Sequence, residues 1–303
     1  VCKRDVALRA SSLRALCCSP MLAALLLSFL ATSSALLHSA RHQLSRRALL
    51  TTAAAVASVP QPAAAVPTFE AGTKAAFAAF AAGDYRRAEE LWSRAVETYP
   101  DSSLAWANLA TLLIINASDE MTLGQLPTGD ALQRLERALT AIGRSEELSG
   151  PAADPVLLNS RGNALGLLLR WEDAVAAYTA SADAAGNGMN NFASIPRSNA
   201  ALAAFELRQD ERAEKEVKSL LRRDPNFIDG TALLATLRWS RGDLGGATEA
   251  YVSLCATPLW CDRYASDAAV LGRWTPRAVE AFRGLLREPS VQRERKNAAV
   301  LAR

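Results

Sequence analysis

One short pattern recurs along most of this chain and restricts it to a repeating helical fold. An alanine is followed four residues later by an aromatic or large apolar residue, and three residues after that by a small or apolar one. Residues spaced by four and by seven lie on one face of a helix, so each occurrence predicts a helix with one packed face. The pattern occurs at Ala88–Trp92–Ala95, Ala131–Leu135–Ala138, Ala174–Tyr178–Ser181, Ala213–Val217–Leu220 and Ala247–Tyr251–Leu254.

The chain between these patterns also has a helical composition. From about Phe69 onward there is no alternation of apolar and polar residues at period two, and runs of β-branched residues, which mark strands, are scarce. Alanine, leucine, arginine and glutamate dominate this part, and all four are strong helix formers. The sequence therefore predicts an all-α fold.

The spacing of the five alanines predicts where the repeats are interrupted. The intervals between them are 43, 43, 39 and 34 residues, whereas a unit of two short helices needs about 34. We assign the excess to inserted loops in segments that contain glycine or proline. These loops are Ile115–Asp130, Gly143–Asp154 and Gly186–Arg197.

The segment Phe77–Pro100 contains one complete unit. It has a helix, a turn at Gly83-Asp84, a second helix that carries the alanine pattern, and a proline at the end. This segment resembles the tetratricopeptide repeat, a helix–turn–helix unit with the same order of small, aromatic, small and proline positions. The resemblance covers about residues 69–257. It implies a right-handed helical-hairpin solenoid of about five repeats, whose first helices line a concave groove.

The C-terminal part resembles a narrower family. The segments Pro258–Tyr264 and Gly272–Phe282, the second with an Arg-Trp-x-Pro-Arg box, are similar to the end of a plant and algal family of thylakoid-lumen tetratricopeptide-like proteins. Proline suits the first turn of a helix, so Pro276 predicts a helix start. We expect residues 258–290 to form a C-terminal capping helix and its approach, and residues 291–303 to form a charged tail that is a frayed helix.

The first 65 residues differ in charge from the rest of the chain. They hold seven basic residues and one acid, a net charge of +6, whereas the remainder holds 27 basic and 30 acidic residues, a net charge of −3. A basic, acid-poor leader is typical of a targeting sequence. Met21 is the first methionine, so either the chain is a fragment or residues 1–20 are a gene-model extension. We interpret residues 21–65 as the targeting leader.

Three targeting signals follow one another in this leader. Leu22–Ala31 is an apolar run of signal-peptide length, and Leu36–Arg47 is basic and free of acids, like a transit peptide. A twin-arginine signal begins at residues 46–47 and ends at Ala63–Ala65. Such leaders resemble those of thylakoid-lumen proteins in algae with secondary plastids, which predicts the thylakoid lumen. A bacterial-type exported protein and an N-terminal helix or membrane anchor remain open as alternatives.

The body of the chain lacks the residues that common catalytic sites need. Residues 66–303 hold no histidine, which excludes Ser-His-Asp and Cys-His catalysis and histidine-containing zinc sites there. There is also no P-loop and no G-x-S-x-G turn. We therefore predict no enzyme and no catalytic, cofactor-binding or metal-binding residue.

The body also offers little that would attract nucleic acid. An organellar RNA-binding helical-repeat protein is the alternative function, but such proteins need basic stripes. The net charge here is −3, and the largest basic cluster is a pair such as Arg222-Arg223. We therefore expect no nucleic-acid partner.

Two cysteines remain in the body, Cys255 and Cys261. The lumen and other exported compartments permit disulfides, so we hypothesise that these two cysteines pair across Pro258. The alternative is a pair of buried free thiols.

The resemblance places a partner groove on the first helix of each repeat. Asparagine side chains there can bond the backbone of an extended peptide, and exposed aromatic rings can anchor a partner. An alternative interpretation of Phe77, Phe80 and Trp239 is packing in the core between repeats. The predicted groove residues are Thr73, Phe77, Phe80, Thr111, Asn159, Asn163, Arg197, Ser198, Leu202, Thr236 and Trp239.

The clamp by which chaperone-binding members of the repeat family hold a C-terminal carboxylate is missing. Asn108 fits one of its positions, but the others hold Thr73, Phe77, Val156 and Ser160. We therefore expect a non-enzymatic scaffold of the thylakoid lumen that binds another protein, though not a chaperone tail. A role in the assembly or maintenance of photosynthetic complexes would fit that location. We expect no stable membrane insertion once the leader is cleaved.

Overall fold

The structure is a computed structural model that describes residues 67–150, 152, 154–186 and 192–301, with backbone only from residue 298 onward. The predicted leader at 21–65 lies outside the described residues, as does the segment 1–20. Within the described ranges the chain forms thirteen α-helices and one short 3₁₀-helix, and no strand. The prediction of an all-α fold is confirmed.

The first ten helices pair into five hairpins, which we call repeats one to five. In each repeat the first helix packs on the second, and the second helix packs on the first helix of the next repeat. Such nearest-neighbour packing makes a solenoid. The pairs are α1 (Phe69–Ala81) with α2 (Tyr85–Thr98), α3 (Ser103–Glu120) with α4 (Gly129–Ser149), α5 (Pro155–Leu167) with α6 (Trp171–Ala185), α7 (Ser194–Glu206) with α8 (Asp210–Arg223), and α9 (Ile228–Ser240) with α10 (Leu244–Cys255).

Four of the five hairpins share the same turn. In each, one residue after the first helix has a positive φ: Gly83 (77°), Leu169 (58°), Arg208 (63°) and Gly242 (82°). The next backbone N–H donates to the carbonyl five residues earlier, at 2.9–3.0 Å, which is the long bond of a Schellman motif. Glycine adopts this conformation without strain, whereas leucine and arginine do so at a cost of about 1 kcal/mol. The shared turn fixes the angle between the two helices.

The recurring pattern forms the core of the solenoid. The alanines at its first position are 0–5% exposed, and Trp92 and Tyr251 are wholly buried beside them. In repeat three the two helices approach each other so closely that a Cβ on Gly162 would overlap the ring of Tyr178. Small residues opposite aromatic rings therefore let the helices pack at short distance.

The predicted loops are partly wrong. Helix α3 continues to Glu120 and α4 to Ser149, so the first six residues of Ile115–Asp130 and the first seven of Gly143–Asp154 are helical. The reason is apolar burial: Ile115 and Ala117 are 7% and 0% exposed, and a loop would not have buried them. Repeat two is longer mainly because its helices are longer. In the third predicted loop, helix α7 begins at Ser194, and residues 187–191 lie outside the described ranges.

The chain after repeat five forms three further helices. They are α11 (Pro258–Arg263), α12 (Pro276–Arg287) and α13 (Pro289–Leu301), with the 3₁₀-helix Asp267–Ala269 between the first two. Helices α11 and α13 pack on α10 and so cover the end of the solenoid. Pro276 lies in the first turn of α12, as predicted. The segment predicted to be a charged, frayed helix is helical as far as Leu301, and Val291 within it is wholly buried.

Cys255 at the end of α10 and Cys261 in α11 are joined by a disulfide, with their Cα atoms 4.3 Å apart. The bond closes a loop across Pro258. It ties the short helix α11 to the last repeat.

The close approach at Gly162 generates a prediction about stability. Gly162→Ala places a methyl group against the ring of Tyr178, so we expect the free energy of unfolding to fall by about 1–3 kcal/mol. The control is Gly143→Ala in α4, where an added Cβ meets no atom within 4 Å. That variant should gain about 0.5–1 kcal/mol from helix propensity alone. Urea unfolding followed by circular dichroism measures both. Equal stability of the two variants would contradict the packing argument.

Candidate functional site

Helix α3, the first helix of repeat two, carries a solvent-facing stripe. Leu104 is 44% exposed, and Asn108 and Thr111, four and seven residues further on, are half-buried. The Asn108 amide donates to the Leu104 carbonyl at 2.9 Å and the Thr111 hydroxyl donates to the Ala107 carbonyl at 3.0 Å. These polar groups are satisfied within their own helix and still reach solvent. Since the first helices of such a solenoid line its concave side, the stripe lies in the predicted groove.

Helix α5, the first helix of repeat three, repeats this arrangement. Val156 is 38% exposed, and Ser160 and Asn163 follow at the same spacing and are half-buried. The Ser160 hydroxyl donates to the Val156 carbonyl at 3.0 Å. The two stripes therefore match in order: an exposed aliphatic residue, then two neutral polar residues.

The predicted asparagines lie on this face and take part in the packing between helices. The hydroxyl of buried Tyr178 donates to Asn163 Oδ1 at 2.9 Å, and Asn199 of α7 donates to Asn159 Oδ1 at 3.2 Å. In the part of the chain that the structure describes, the amide nitrogens of Asn159 and Asn163 have no acceptor. Each asparagine is therefore held in place by its oxygen and keeps a donor for a ligand. Asn199, which the sequence analysis did not select, joins repeats three and four at this point.

Four of the predicted groove residues are buried, which contradicts their assignment. Thr73 and Thr236 are 0% exposed, and their hydroxyls donate to the carbonyls of Phe69 and Ala232 in the same helix. The other two, Ser198 and Leu202, are 5% and 3% exposed. None of them is open to a partner, because each is buried within the protein.

The aromatic residues of repeat one pack in the core. Phe77 lies edge-on to Trp92 with ring centroids 5.0 Å apart, and Phe80 lies 5.6 Å from Tyr85. Both rings are half-buried. The alternative interpretation, packing in the core, is the one that the structure supports for Phe77 and Phe80.

Arg197 does not share the face of the asparagines. It lines a small crevice with residues of the second helices α6 and α8, among them Asp183, Arg212 and Glu216. Second helices form the outer side of such a solenoid. The prediction that Arg197 lies in the groove is therefore wrong, because its side of α7 faces the neighbouring second helices.

Trp239 packs against helix α12. Its indole ring lies so close to Gly284 of α12 that any Cβ there would overlap it. Helix α12 packs on α7 and α9, the first helices of repeats four and five. Val279, Phe282 and Leu285 of α12 are 0–1% exposed, and burial of each contributes about 1.5–3 kcal/mol. This part of the concave face is thus filled by the protein's own helix.

Arg277 fixes the start of α12 to repeat four. Its guanidinium pairs with Asp210, with one contact at 2.7 Å, and lies 3.7 Å from the centre of the Phe205 ring. Its backbone N–H donates to Glu206 at 3.0 Å. The hydrogen bond from Arg277 holds the pKa of Asp210 below its usual value. These contacts combine a bidentate ion pair with a cation–π contact.

Arg273 makes the corresponding contact with repeat five. Its guanidinium donates to both carboxylate oxygens of Asp229, at 2.8 and 3.0 Å, and the hydroxyl of Tyr264 donates to the same carboxylate. Burial alone would raise the pKa of Asp229. The hydrogen bonds and positive charge of Arg273 outweigh burial and hold that pKa below its usual value. Burial also raises the pKa of Tyr264, which therefore remains a donor.

The sequence analysis did not identify these two ion pairs, Arg277 with Asp210 and Arg273 with Asp229. The signal was present in the Arg-Trp-x-Pro-Arg box, since its two arginines are Arg273 and Arg277. Their acidic partners, Asp229 and Asp210, lie 44 and 67 residues earlier in the chain. Nothing local marks those two acids among the others on the helix surfaces.

Residues 69–112 match the tetratricopeptide repeat family. Among solved structures, PilF of Pseudomonas aeruginosa is similar with a TM-score of 0.50 and 15% identity, over 77% of this chain and 89% of that one. YrrB, described as a tetratricopeptide protein with an unusual peptide-binding site, has a TM-score of 0.43 and 12% identity, over 73% of this chain and 100% of that one. A comparison with curated proteins gives no significant match. At these identities the likeness to PilF concerns the fold alone.

The residues that the structure describes contain no group of three or more His, Cys, Asp or Glu side chains arranged to hold a metal ion. None of their helices has the length and apolar character needed to cross a membrane.

The Asp229 anchor generates a pH-dependent prediction. Asp229→Asn leaves Arg273 without its charge partner, so at pH 7 we expect the free energy of unfolding to fall by about 3 kcal/mol. The contribution of the Asp229 carboxylate to the free energy of unfolding is fully present above the usual pKa of 3.8. It is lost as pH falls through the lower pKa of Asp229 in the folded protein. The difference in the free energy of unfolding between the native protein and Asp229→Asn should therefore shrink below about pH 4. Urea unfolding at a series of pH values measures it.

The control for this experiment is Asp267→Asn. Asp267 pairs with Arg283, whose side chain is 43% exposed, so its loss should cost less than about 1 kcal/mol. A difference between native protein and Asp229→Asn that stays constant down to acid pH would show that the ion pair is not its cause.

Proposed function

We propose that this protein is a non-enzymatic scaffold that binds a partner protein through the concave face of its helical repeats. The observation that carries the proposal is the pair of matching stripes on α3 and α5. Each stripe presents an aliphatic side chain and neutral polar groups to solvent. On the same face of repeats four and five, helix α12 covers the first helices instead. An apolar residue flanked by hydrogen-bonding groups is the usual composition of a peptide-binding surface.

The proposal includes a location, the thylakoid lumen of a plastid, and of a secondary plastid in particular. This location is supported by the three targeting signals that follow one another within residues 21–65. The Cys255–Cys261 disulfide also suits an oxidising compartment. A partner in the assembly or maintenance of photosynthetic complexes would follow from that location.

The groove can be tested by adding charge to it. In the variant Leu104→Glu with Val156→Glu, two carboxylates replace the exposed aliphatic residues of the stripes. Capture of the partner from a thylakoid-lumen extract should fall by about tenfold or more, because an unpaired charge would be buried in the interface. Quantitative mass spectrometry of the captured proteins measures the change.

The chain offers a closely matched control outside the groove. Leu244 and Val252 lie on α10, a second helix, and are 46% and 38% exposed, against 44% and 38% for Leu104 and Val156. The variant Leu244→Glu with Val252→Glu adds the same charge at equal exposure and should leave capture unchanged. If both variants lose the partner equally, or neither does, the groove is not the binding surface.

The location gives a separate prediction. In isolated plastids the protein should resist added protease until the thylakoid membrane is opened by sonication. The N-terminus of the resistant form should be Val66, directly after the predicted cleavage site at Ala63–Ala65. Immunoblotting and N-terminal sequencing measure both. Digestion before sonication would contradict the lumen, and a stromal location would favour the RNA-binding alternative.

A further inference from the structure

The disulfide at the end of the last repeat holds a helix whose own side chains are mostly exposed. Helix α11 has six residues, and Cys261 is the one among them that is buried. Leu259 of the same helix is 66% exposed. A helix of this length is not stable by itself in water. Its position on the solenoid therefore depends strongly on the bond from Cys261 to Cys255.

A second link lies one helical turn away from the disulfide. Tyr251 and Cys255 are four residues apart on α10. The Tyr251 hydroxyl donates to the carbonyl of Tyr264 at 2.9 Å, and the N–H of Tyr264 donates to the carbonyl of Trp260 at 3.0 Å, which closes the last turn of α11. The disulfide and the Tyr251 hydrogen bond thus hold the same turn of chain. Loss of the disulfide leaves this turn more weakly attached to α10.

Tyr264 connects this turn to helix α12. Its ring is 1% exposed and lies edge-on to Phe282 of α12, with the ring centroids 6.3 Å apart. Its hydroxyl donates to Asp229, the carboxylate that also accepts from Arg273 in the segment before α12. Helix α12 in turn packs on the first helices of repeats four and five. A shift of Tyr264 therefore disturbs two of the contacts that seat α12.

The disulfide lies where a reductant can reach it from solvent. Cys255 is half-buried, and residues 256–259, which lie between the two cysteines, are all exposed. Exposed disulfides are the ones that are reduced readily, because exchange requires access of a thiolate to a sulfur atom. Residues 66–303 contain no further cysteine, so within this part of the chain the reduced thiols can re-form only the same bond. The position therefore suits reversible reduction.

We propose that the Cys255–Cys261 disulfide is a redox switch that sets how firmly α12 is seated on repeats four and five. In the oxidised protein the bond holds α11 and, through Tyr264, supports α12. In the reduced protein α11 is released and α12 is held less firmly, while the other repeats keep their fold. The inference goes beyond the proposed function and does not depend on it, since the change needs no partner protein.

The reductant that the switch requires is a dithiol. One of its thiolates attacks Sγ of Cys255 and forms a mixed disulfide, while the bond from Cys255 to Cys261 breaks. Cys261 leaves as a thiolate and takes a proton from water. The second thiol of the reductant then displaces Cys255, so the reductant is oxidised to a disulfide and both cysteines become thiols.

The effect of reduction should stay at the C-terminal end of the solenoid. Tyr251, Tyr264 and Phe282 belong to one hydrophobic cluster, whereas the buried residues of α3 belong to another. Each repeat of a solenoid contacts mainly its neighbours, so a loss of contacts at one end has little effect on distant repeats. Helix α3 therefore serves as an internal reference for the measurement.

The test compares amide hydrogen exchange in the oxidised and the reduced protein. The purified protein is reduced with excess dithiothreitol, and alkylation followed by mass spectrometry reports whether Cys255 and Cys261 have become thiols. Amides of residues 261–265 should then exchange at least about tenfold faster, because the constraint of the closed loop is lost. Amides of residues 278–285 in α12 should exchange at least about threefold faster, and those of α3 should change by less than about twofold.

The matched control is the variant Cys255→Ser with Cys261→Ser. It should exchange like the reduced native protein in both segments, and dithiothreitol should not change its exchange further. The other three cysteines of the chain remain in this variant, so an effect of the reductant through them would still be visible. Reoxidation of the native protein should restore the slow exchange.

Four outcomes would overturn the inference. Alkylation of the two cysteines only after unfolding in urea would show that the disulfide is not accessible. Unchanged exchange in residues 261–265 would show that the bond does not hold α11, and a change there without one in α12 would show that Tyr264 does not transmit it. Equally faster exchange in α3 would make the bond a part of global stability. Groove binding is tested separately by Leu104→Glu with Val156→Glu, so the failure of one proposal leaves the other standing.

Discussion

The closest contacts between helices in this protein join small residues to aromatic rings, and the rest of the solenoid depends on them. Gly284 of α12 faces the ring of Trp239 of α9 with no space for a side chain. Gly162 faces Tyr178 with no space for a side chain. Because the pattern of an alanine and a large apolar residue one turn later recurs on each second helix, each repeat presents a similar surface to the next, and the first helices are brought to one side of the molecule.

Helix α12 divides the concave face into a part that it covers and a part that it leaves uncovered. Two arginines four residues apart, Arg273 and Arg277, reach back to acids at the starts of α9 and α8, and the apolar face of α12 then covers repeats four and five. A buried ion pair contributes little net stability by itself, but a broken one is costly, so such pairs favour one register of docking. Leu104 of repeat two and Val156 of repeat three stay exposed.

The errors in the sequence analysis have a common physical cause. The loop assigned to Ile115–Asp130 was too long, because glycine and proline mark the possible end of a helix but do not reveal that Ile115 is buried by another repeat. Thr236 and Arg197 were assigned to the groove from their repeat positions, yet one is buried and the other faces the second helices. Exposure depends on contacts between repeats, which a local pattern does not contain.

The sequence by itself determined the all-α fold, the pairing of helices into five hairpins and the packed face of each second helix, because these follow from spacings within a few turns of one chain segment. It also predicted a helix start at Pro276. Only the tertiary structure decided which part of the concave face is covered by α12. That choice depends on Asp210 and Asp229 meeting arginines many residues away, and contacts at such separation leave no periodic signal in the sequence.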